Sequence, residues 1–285
     1  MRPDLGRLGI WAQEYKLNPT LVAELEAMGY GTVWLGGSPD GDLRIIDEFL
    51  GAATRLVMAT GIVNIWRDEA TKVAAAHRRI SDAFPGRFLL GIGVGHPERT
   101  SQYQRPYASL VSYLDILEAE GVPKDELVLA ALGPKVLQLA ADRTAGAHPY
   151  LTTPEHTRRA RQLVGPETLL APEQKGVLTT DAQRARELAR SVVVFPYLSR
   201  INYLQNLRSL GWTDNDVAGD GSDALIDALV GHGNPAAATA PISAHLDAGA
   251  DHVAAQLITE PDVDPRAGYA TIAEAVLQSQ SSKPL

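Results

Sequence analysis

Residues 86–95 have the sequence GRFLLGIGVG, and the run from Arg87 to Val94 is almost entirely apolar. Its length and composition are typical of a strand that is buried on both faces. Comparable runs recur along the chain, and stretches with helical spacing of apolar residues separate them. This alternation of strands and helices predicts a parallel sheet. The eight predicted strands cover residues 8–12, 32–35, 56–63, 87–94, 127–132, 147–151, 169–178 and 253–258.

Eight strand–helix units in 285 residues predict an α/β fold of the (β/α)8 TIM-barrel type, with residues 1–285 forming one domain. An open doubly wound sheet is the alternative, but no GxGxxG motif opens a helix after the first strand. Residues of about 180–230 exceed the simple repeat. We therefore expect a helical insertion there, between strands 7 and 8.

Composition and charge exclude several functions. The chain has 26 Lys and Arg against 34 Asp and Glu, a formal net charge of −8, which argues against nucleic acid or an anionic membrane as partner. The absence of Cys excludes disulfides, thiolate chemistry and Cys-bound metals. The seven His show no HExxH spacing, so we expect no metal site. Without a signal-like or membrane-spanning segment, a cytoplasmic protein that acts on a small molecule is expected.

In a barrel of this type, the active site lies at the carboxyl ends of the strands. Several of these predicted ends are rich in Gly, which lets the backbone approach a flat ligand closely. They hold neither a Ser-His-Asp triad nor paired carboxylates, which favours a reaction that depends on a cofactor. The segments at the strand ends are Trp11, Gly36 to Pro39, Gly61 to Trp66, Val94 to Glu98, Leu132 to Lys135, His148 to Tyr150 and Pro172 to Lys175.

Three segments together resemble the bacterial-luciferase-like superfamily: TGIVNIW at 60–66, GRFLLGIGVG at 86–95 and ALGPK at 131–135. The later AGADHV, residues 248–253, fits the same pattern. The resemblance covers nearly the whole chain, and the nearest group is the actinobacterial branch that uses the deazaflavin coenzyme F420. Relatives that use FMN share the same overall fold. Dimers are common in this family, so the resemblance also implies a homodimer.

The resemblance implies a position for the ring of F420. In F420-dependent members a non-prolyl cis peptide supports the ring, and the matching bond is Gly61–Ile62; an ordinary bulge at a strand end is the alternative. Asn64 would hydrogen-bond the pyrimidine edge of the ring, or it would cap the following turn. The remaining residues that would line the ring are Gly93, Val94 and Gly95.

The same resemblance assigns the cofactor phosphate to Leu132, Gly133, Pro134 and Lys135. The start of a helix favours an anion there, whereas the alternative is a capped helix with a solvated Lys. His96 stands where related sugar-phosphate dehydrogenases carry a Glu. It is the candidate catalytic residue for proton handling, and the alternative is a His that binds a loop carbonyl.

The predicted substrate pocket departs from those dehydrogenases. They carry an Asp-His pair at the end of strand 2, where this chain has Gly36 and Gly37, and these small residues predict a wider mouth. Trp11 and Trp66 could form its walls, although core packing would explain Trp11 equally well. His148 also belongs to the predicted pocket, with a turn residue before Pro149 as the alternative.

These features lead to three hypotheses for function. The first is an F420-dependent oxidoreductase that transfers a hydride between the deazaflavin C5 and an unidentified organic substrate. The second is an FMN-dependent luciferase-like monooxygenase that uses O2. The third is a barrel that binds F420 or another ligand without turnover, since function follows from sites rather than from fold.

Overall fold

The computed structural model describes residues 1–95 and 105–281. Within them, eleven strands form one sheet, and every strand pairing is parallel. The strands are β1 (Leu8–Gln13), β2 (Thr32–Gly36), β3 (Val57–Thr60), β4 (Val63–Asn64), β5 (Phe88–Gly93), β6 (Leu127–Leu129), β7 (Gly146–Ala147), β8 (Leu169–Leu170), β9 (Glu173–Val177), β10 (Val230–His232) and β11 (Val253–Leu257).

The helices that separate these strands follow the predicted alternation, so the parallel α/β fold is confirmed. They are α1 (Pro19–Ala27), α2 (Arg44–Ala52), α3 (Ala70–Ala83), α4 (Pro106–Ala119), α5 (Pro134–Arg143), α6 (Pro154–Val164), α7 (Ala182–Val193), α8 (Ile201–Ser209), α9 (Asp214–Val217), α10 (Asp223–Leu229), α11 (Pro235–Asp247) and α12 (Arg266–Ser281). No helix of the described ranges has the length and apolar character needed to cross a bilayer.

The sheet curls back on itself through the segment 169–177. The strand order is β10-β9-β11-β1-β2-β3-β5-β6-β7-β8, with β4 beside β5. On one side of this segment, Ala171 N donates to Ala147 O at 2.9 Å. On its other side, Leu170 O accepts from Asp251 N, also at 2.9 Å. The chain therefore passes from β8, at one end of the strand order, directly to β9, next to the other end, and the curled sheet encloses an interior.

Two predicted strands are interrupted. The predicted strand 56–63 is divided into β3 and β4, and the predicted strand 169–178 is divided into β8 and β9 by residues 171–172. The range of about 180–230 contains α7 to α10, and the short strand β10 follows it. The sequence reading missed β10, because three residues are too few to show a strand period; this strand pairs with 175–177 of β9.

Apolar side chains fill both faces of the curled sheet. The outer layer is a large cluster between strands and helices, including Ile46, Phe49 and Leu90. A smaller cluster occupies the interior of the curl, where Trp34 and Leu89 are fully buried. A third cluster packs the helices α7 to α10 against β9 and β10. Within the described residues, side chains of this inner cluster therefore fill the interior of the curl.

Candidate functional site

A cavity of about 1050 Å³ lies at the carboxyl ends of the strands. This volume is sufficient for a substantial organic ligand. Residues at the ends of β1, β2, β3, β5, β6 and β7 line it, together with residues of α4, α5, α6 and α8. This location agrees with the rule that the active sites of parallel barrels lie at the carboxyl ends of the strands.

Most residues that the sequence assigned to the cofactor line this cavity. Eight of the ten do so: Gly61, Ile62, Asn64, Val94, Gly95, Leu132, Gly133 and Pro134. Gly93 lies beneath them, since a Cβ there would be 2.9 Å from Ile62 Cγ2. Lys135 is exposed and is not among the lining residues. The candidate catalytic residue His96 lies outside the described residues.

The Gly61–Ile62 bond is trans, so the predicted non-prolyl cis bond is wrong. The one cis peptide bond within the described ranges is Phe195–Pro196. At Gly61 the chain leaves β3 as a bulge-like interruption, and Gly61 N donates to Leu35 O at 2.8 Å. The trans bond avoids the cost of about 3–4 kcal/mol that a non-prolyl cis bond carries, and the alternative of a bulge at the strand end fits this site.

Trp11 occupies the space that Gly36 leaves. A Cβ on Gly36 would lie 2.2 Å from Trp11 Cζ2, and a Cβ on Gly61 would lie 2.9 Å from Trp11 Nε1. The indole, which is 7% exposed, therefore lies across the ends of β2 and β3. The expectation that Gly36 widens the mouth is wrong, because the indole fills that room. Trp11, Gly36 and Gly37 nevertheless all line the cavity.

Asn64 and Trp66 form a turn at the edge of the cavity. Asn64 Oδ1 accepts from Trp66 N at 2.9 Å, which is the turn-capping alternative. Trp66 Nε1 donates to Val94 O at 2.8 Å, and this bond holds the segment after β5. Asn64 lines the cavity and Trp66 does not, so Trp66 is not the pocket wall that we predicted.

His148 lies in the floor of the cavity rather than in an open turn. It is 2% exposed and lines the cavity. Its ring stacks on Trp34 with centroids 4.0 Å apart and planes 9° apart, and its Nδ1 lies 2.6 Å from Ala171 O. Burial lowers the pKa of His148 to about 3, so the ring is neutral near pH 7.

Tyr150, which belongs to the predicted strand-end segment 148–150, forms an aromatic wall of the cavity with Tyr197 and Tyr203, which the sequence did not indicate. The rings of Tyr150 and Trp11 are 5.1 Å apart, and those of Tyr150 and Tyr197 are 5.2 Å apart. Tyr197 donates from its hydroxyl to that of Tyr150 at 3.2 Å, and Tyr150 donates to Gln256 Oε1 at 2.9 Å. The wall therefore has a fixed set of hydroxyl orientations.

A buried ion pair supports this aromatic wall. Lys175 Nζ lies 2.9 Å from Glu173 Oε2 and 3.8 Å from the centroid of the Tyr150 ring. Glu173 Oε2 also accepts from Leu151 N at 3.1 Å. Burial raises the pKa of Glu173 and lowers that of Lys175, while their mutual attraction opposes both shifts. The signal in the sequence was the polar run Glu173-Gln174-Lys175 within an otherwise apolar strand.

Of the two basic residues Lys135 and Arg159, only Arg159 of α6 lines the cavity. Arg159 lines the cavity, and its guanidinium contacts Glu155 Oε1 and Ser209 O, each at 2.8 Å. The sequence analysis favoured Lys135 because it directly follows Pro134. In a helix, however, successive side chains diverge by about 100° around the axis, so neighbouring positions face different directions.

We expect the folded chain to lose stability in acid, because three of its histidines are buried. Burial lowers the pKa of His148 and His245 to about 3 and that of His252 to about 4, against 6.5 for an exposed His. These rings stay neutral in the folded chain near pH 7, so their contribution is complete above pH 6.5 and is lost as the pH falls from 6.5 toward 4 for His252 and toward 3 for His148 and His245. The expected slope is about 1.4 kcal/mol per pH unit for each ring.

Urea unfolding at several pH values between 7 and 5 tests this expectation. A free energy of unfolding that stays constant over this range would contradict it. The His252→Gln variant should reduce the slope by about one proton, because one titrating ring is removed.

Similarity to known proteins is found at the level of the fold. No family model and no curated protein matches the chain. An F420-dependent secondary alcohol dehydrogenase, solved with an F420-acetone adduct, has a TM-score of 0.74 at 14% identity, covering 97% of this chain and 99% of the other. The coenzyme F420-dependent tetrahydromethanopterin reductase from Methanopyrus kandleri has a TM-score of 0.66 at 14% identity, with the same coverage of both chains.

A flavin-containing neighbour has the same architecture. The oxygenating constituent of 3,6-diketocamphane monooxygenase from Pseudomonas putida, solved with FMN, has a TM-score of 0.68 at 13% identity, covering 95% of this chain and 97% of the other. At such identities the likeness shows the fold alone. Structural neighbours of this fold thus include both F420-dependent and FMN-dependent oxidoreductases.

Proposed function

We propose that this chain is a member of the luciferase-like superfamily and an F420-dependent oxidoreductase that acts on a small organic substrate. The observation that carries the proposal is the gathering of eight residues assigned to the cofactor around one cavity at the strand ends. The fold of the F420-dependent secondary alcohol dehydrogenase supports it further. When bound, F420 supplies a hydride carrier at its C5.

The cavity has surfaces suited to a flat ring. Trp11, Ile62 and Tyr150 line it with large apolar groups, and a ring system can pack against such surfaces. Gly61 and Gly95 also line it, and their missing side chains leave room for Trp11 and Asn64. The Asn64 side chain also lines the cavity and brings an amide to it. These residues would hold and orient the ring.

The start of α5 is suited to the cofactor phosphate. Pro134 occupies the first turn, where its missing N–H is not needed, and the positive end of the helix dipole there favours an anion. A Cβ on Gly133 would meet no atom within 4 Å, so the backbone is open to an approaching group. Arg159 also lines the cavity, where its guanidinium pairs with Glu155. We propose His96 for proton handling at the substrate oxygen.

Titration of the apo protein with F420 and with FMN tests the proposed cofactor. We expect F420 to bind with saturable fluorescence quenching and FMN to bind at least tenfold more weakly. Tight FMN binding with O2-dependent turnover would contradict the proposal and support the monooxygenase. Quenching of F420 without turnover on a panel of alcohols, aldehydes and enones would instead support a binding protein.

Enlarging Gly133 should weaken F420 binding without destabilising the fold. Gly133 has φ −79° and ψ 154°, a conformation that any residue adopts, and its Cβ position is open. We expect Gly133→Val to lower F420 affinity at least tenfold, because the side chain would occupy the phosphate position. Gly133→Ala should have a smaller effect in the same direction, and the melting temperature of both should be close to wild type. Unchanged affinity of the Val variant would place the phosphate elsewhere.

A further inference from the structure

A second cavity, of about 620 Å³, lies between the start of α6, the end of α10, β10 and α11. Its lining is distinct from that of the strand-end cavity except for Leu210, which borders both. The volume is sufficient for a small organic molecule. None of the residues assigned to the cofactor lines it, so it is a separate site.

Two side chains that line this second cavity carry unused hydrogen-bond donors. Thr153 is 8% exposed, and its hydroxyl neither caps α6 nor bonds any other described residue. Trp212 is partly buried, and its indole N–H is likewise unpaired among the described residues. Both donors keep accessible surface, because the unpaired polar atoms without it in the described ranges are histidine and arginine nitrogens. Neither residue lines the strand-end cavity, so both donors are available to a molecule in the second one.

The start of α6 adds two unused backbone donors. Pro154 has no N–H, and the first bond back along the helix runs from Thr157 N to Thr153 O at 3.3 Å. The N–H groups of Glu155 and His156 therefore have no acceptor within the described part of the chain. The positive end of the helix dipole lies at the same place. Together with the adjacent Thr153 hydroxyl, these groups favour an anion.

The two carboxylates that line the second cavity are already paired. Glu155 Oε1 accepts from Arg159 Nε at 2.8 Å. Asp227 Oδ2 accepts from Arg186 Nη2 at 2.6 Å, and Asp227 Oδ1 lies 3.0 Å from His232 Nε2. Because partners balance both charges, the donors at the start of α6 remain available to an anion from outside the chain.

The lining favours a carboxylate over a phosphate. A phosphate group carries close to two charges at pH 7, and Lys and Arg are its usual protein partners. Neither residue type is found among the described residues that line the second cavity, whereas neutral donors suit a singly charged carboxylate. Most of the remaining lining is apolar, consisting of proline, alanine and the Trp212 ring. A complementary ligand therefore has one carboxylate and a small apolar body.

We propose that the second cavity binds a small aromatic carboxylate. The carboxylate accepts hydrogen bonds from the Thr153 hydroxyl and from the N–H groups at the start of α6, while the ring packs against Pro241 and the alanines of α11 and Trp212 borders the ligand. This site is independent of the proposed function, because it shares no residue with the proposed cofactor site.

Nitrogen–proton NMR of the full chain, labelled at tryptophan, tests the proposal at pH 7. The probes are benzoate, its neutral analogue benzamide, and inorganic phosphate, and Trp212→Phe identifies the Trp212 resonance. We expect benzoate to shift that resonance saturably and to bind at least tenfold more tightly than benzamide, because only benzoate carries the charge. Phosphate should have no effect, and the Trp11 resonance, which reports on the strand-end cavity, should stay unchanged.

Three results of this titration would overturn the proposal. The first is a Trp212 resonance that benzoate does not move, and the second is equal affinity for benzoate and benzamide. The third is a benzoate shift at Trp11 in place of Trp212, which would put the anion in the strand-end cavity. A saturable shift by phosphate that is tighter than that by benzoate would also contradict the assigned ligand class.

Variants of Thr153 test the position of the carboxylate. Thr153→Val removes the hydroxyl but keeps the shape, and we expect benzoate affinity to fall about tenfold or more, the effect of one hydrogen bond to a charged group. Thr153→Ser keeps the hydroxyl and should retain most of the affinity. Since the Thr153 side chain makes no capping bond, the melting temperature of both should be close to wild type.

The matched control is Thr271→Val, on α12 and outside both cavities, where the hydroxyl bonds Ala267 O. It should leave benzoate affinity unchanged. A folded Thr153→Val protein that binds benzoate as tightly as the wild type would show that the carboxylate does not lie at the start of α6, and the proposal would be wrong. F420 affinity should be the same in all of these proteins, so the outcome does not depend on the proposed cofactor.

Discussion

Replacing Lys175 with methionine is expected to destabilise the folded chain by about 3–5 kcal/mol, the usual cost of leaving one buried charge without its partner. The Lys175 side chain has no exposed surface, and that of Glu173 is 1% exposed. The replacement would also remove the cation beneath the Tyr150 ring. Urea unfolding at pH 7 measures the change in the free energy of unfolding.

A double-mutant cycle tests whether the loss comes from the unpaired charge. Glu173→Gln alone should also be strongly destabilising, while Glu173→Gln with Lys175→Met should cost much less than the sum of the two. The matched control is Lys72→Met, which breaks an exposed pair with Asp40 and should change the stability little. Additive single losses would show that the two residues act independently.

Gly36→Ala should disturb both stability and ligand binding. The added Cβ would lie 2.2 Å from Trp11 Cζ2, so the indole must move. Overpacking of this kind typically costs about 1–3 kcal/mol. The displaced indole would enter the cavity, and we expect F420 affinity to fall at least tenfold. Thermal unfolding and fluorescence titration measure the two effects.

The control is a Gly→Ala substitution at a position where the added Cβ would contact no other atom. A Cβ on Gly51 of α2 would meet no atom within 4 Å, so Gly51→Ala should be neutral or stabilising by about 0.5–1 kcal/mol. Adding Trp11→Leu to Gly36→Ala should recover stability by removing the clash. If the Gly36→Ala and Gly51→Ala proteins are equally stable, the added Cβ at position 36 does not clash with the Trp11 indole.

Much of the fold is readable from local patterns, because helix starts and buried strands depend on nearby residues. Asn18 caps α1 and Asn234 caps α11 through their side chains, and Pro follows each of them, as helix-start rules predict. The predicted strands at 8–12, 32–35 and 253–258 coincide with β1, β2 and β11 within two residues. The interruption at Pro172 was also predicted, because Pro cannot donate to the ladder of hydrogen bonds, whereas the one at Gly61 depends on which neighbours the chain meets and has no signal in the periodicity.

The gathering of the cavity residues also follows from the sequence, once the strands are known to be parallel. Parallel strands bring their carboxyl ends to one edge, so segments such as 61–64 and 132–134 meet although they lie far apart in the chain. That argument places backbone segments and not side chains. It could not decide that Trp66 turns away to donate to Val94, or that Arg159 reaches the cavity and Lys135 does not.

By itself, the sequence determined the alternation of strands and helices and the edge of the sheet where a ligand can bind, since both follow from local periodicity and chain direction. Only the tertiary structure decided which side chains line that edge. Trp11 occupies the space next to Gly36, and Lys175 forms an ion pair with Glu173 beneath the Tyr150 ring. The Nε2 atom of His148 is buried without a hydrogen-bond partner among the described residues. The bond from Trp34 to His252 that holds this arrangement joins residues 218 positions apart. Contacts of that kind arise from close packing in the folded chain and leave no local pattern.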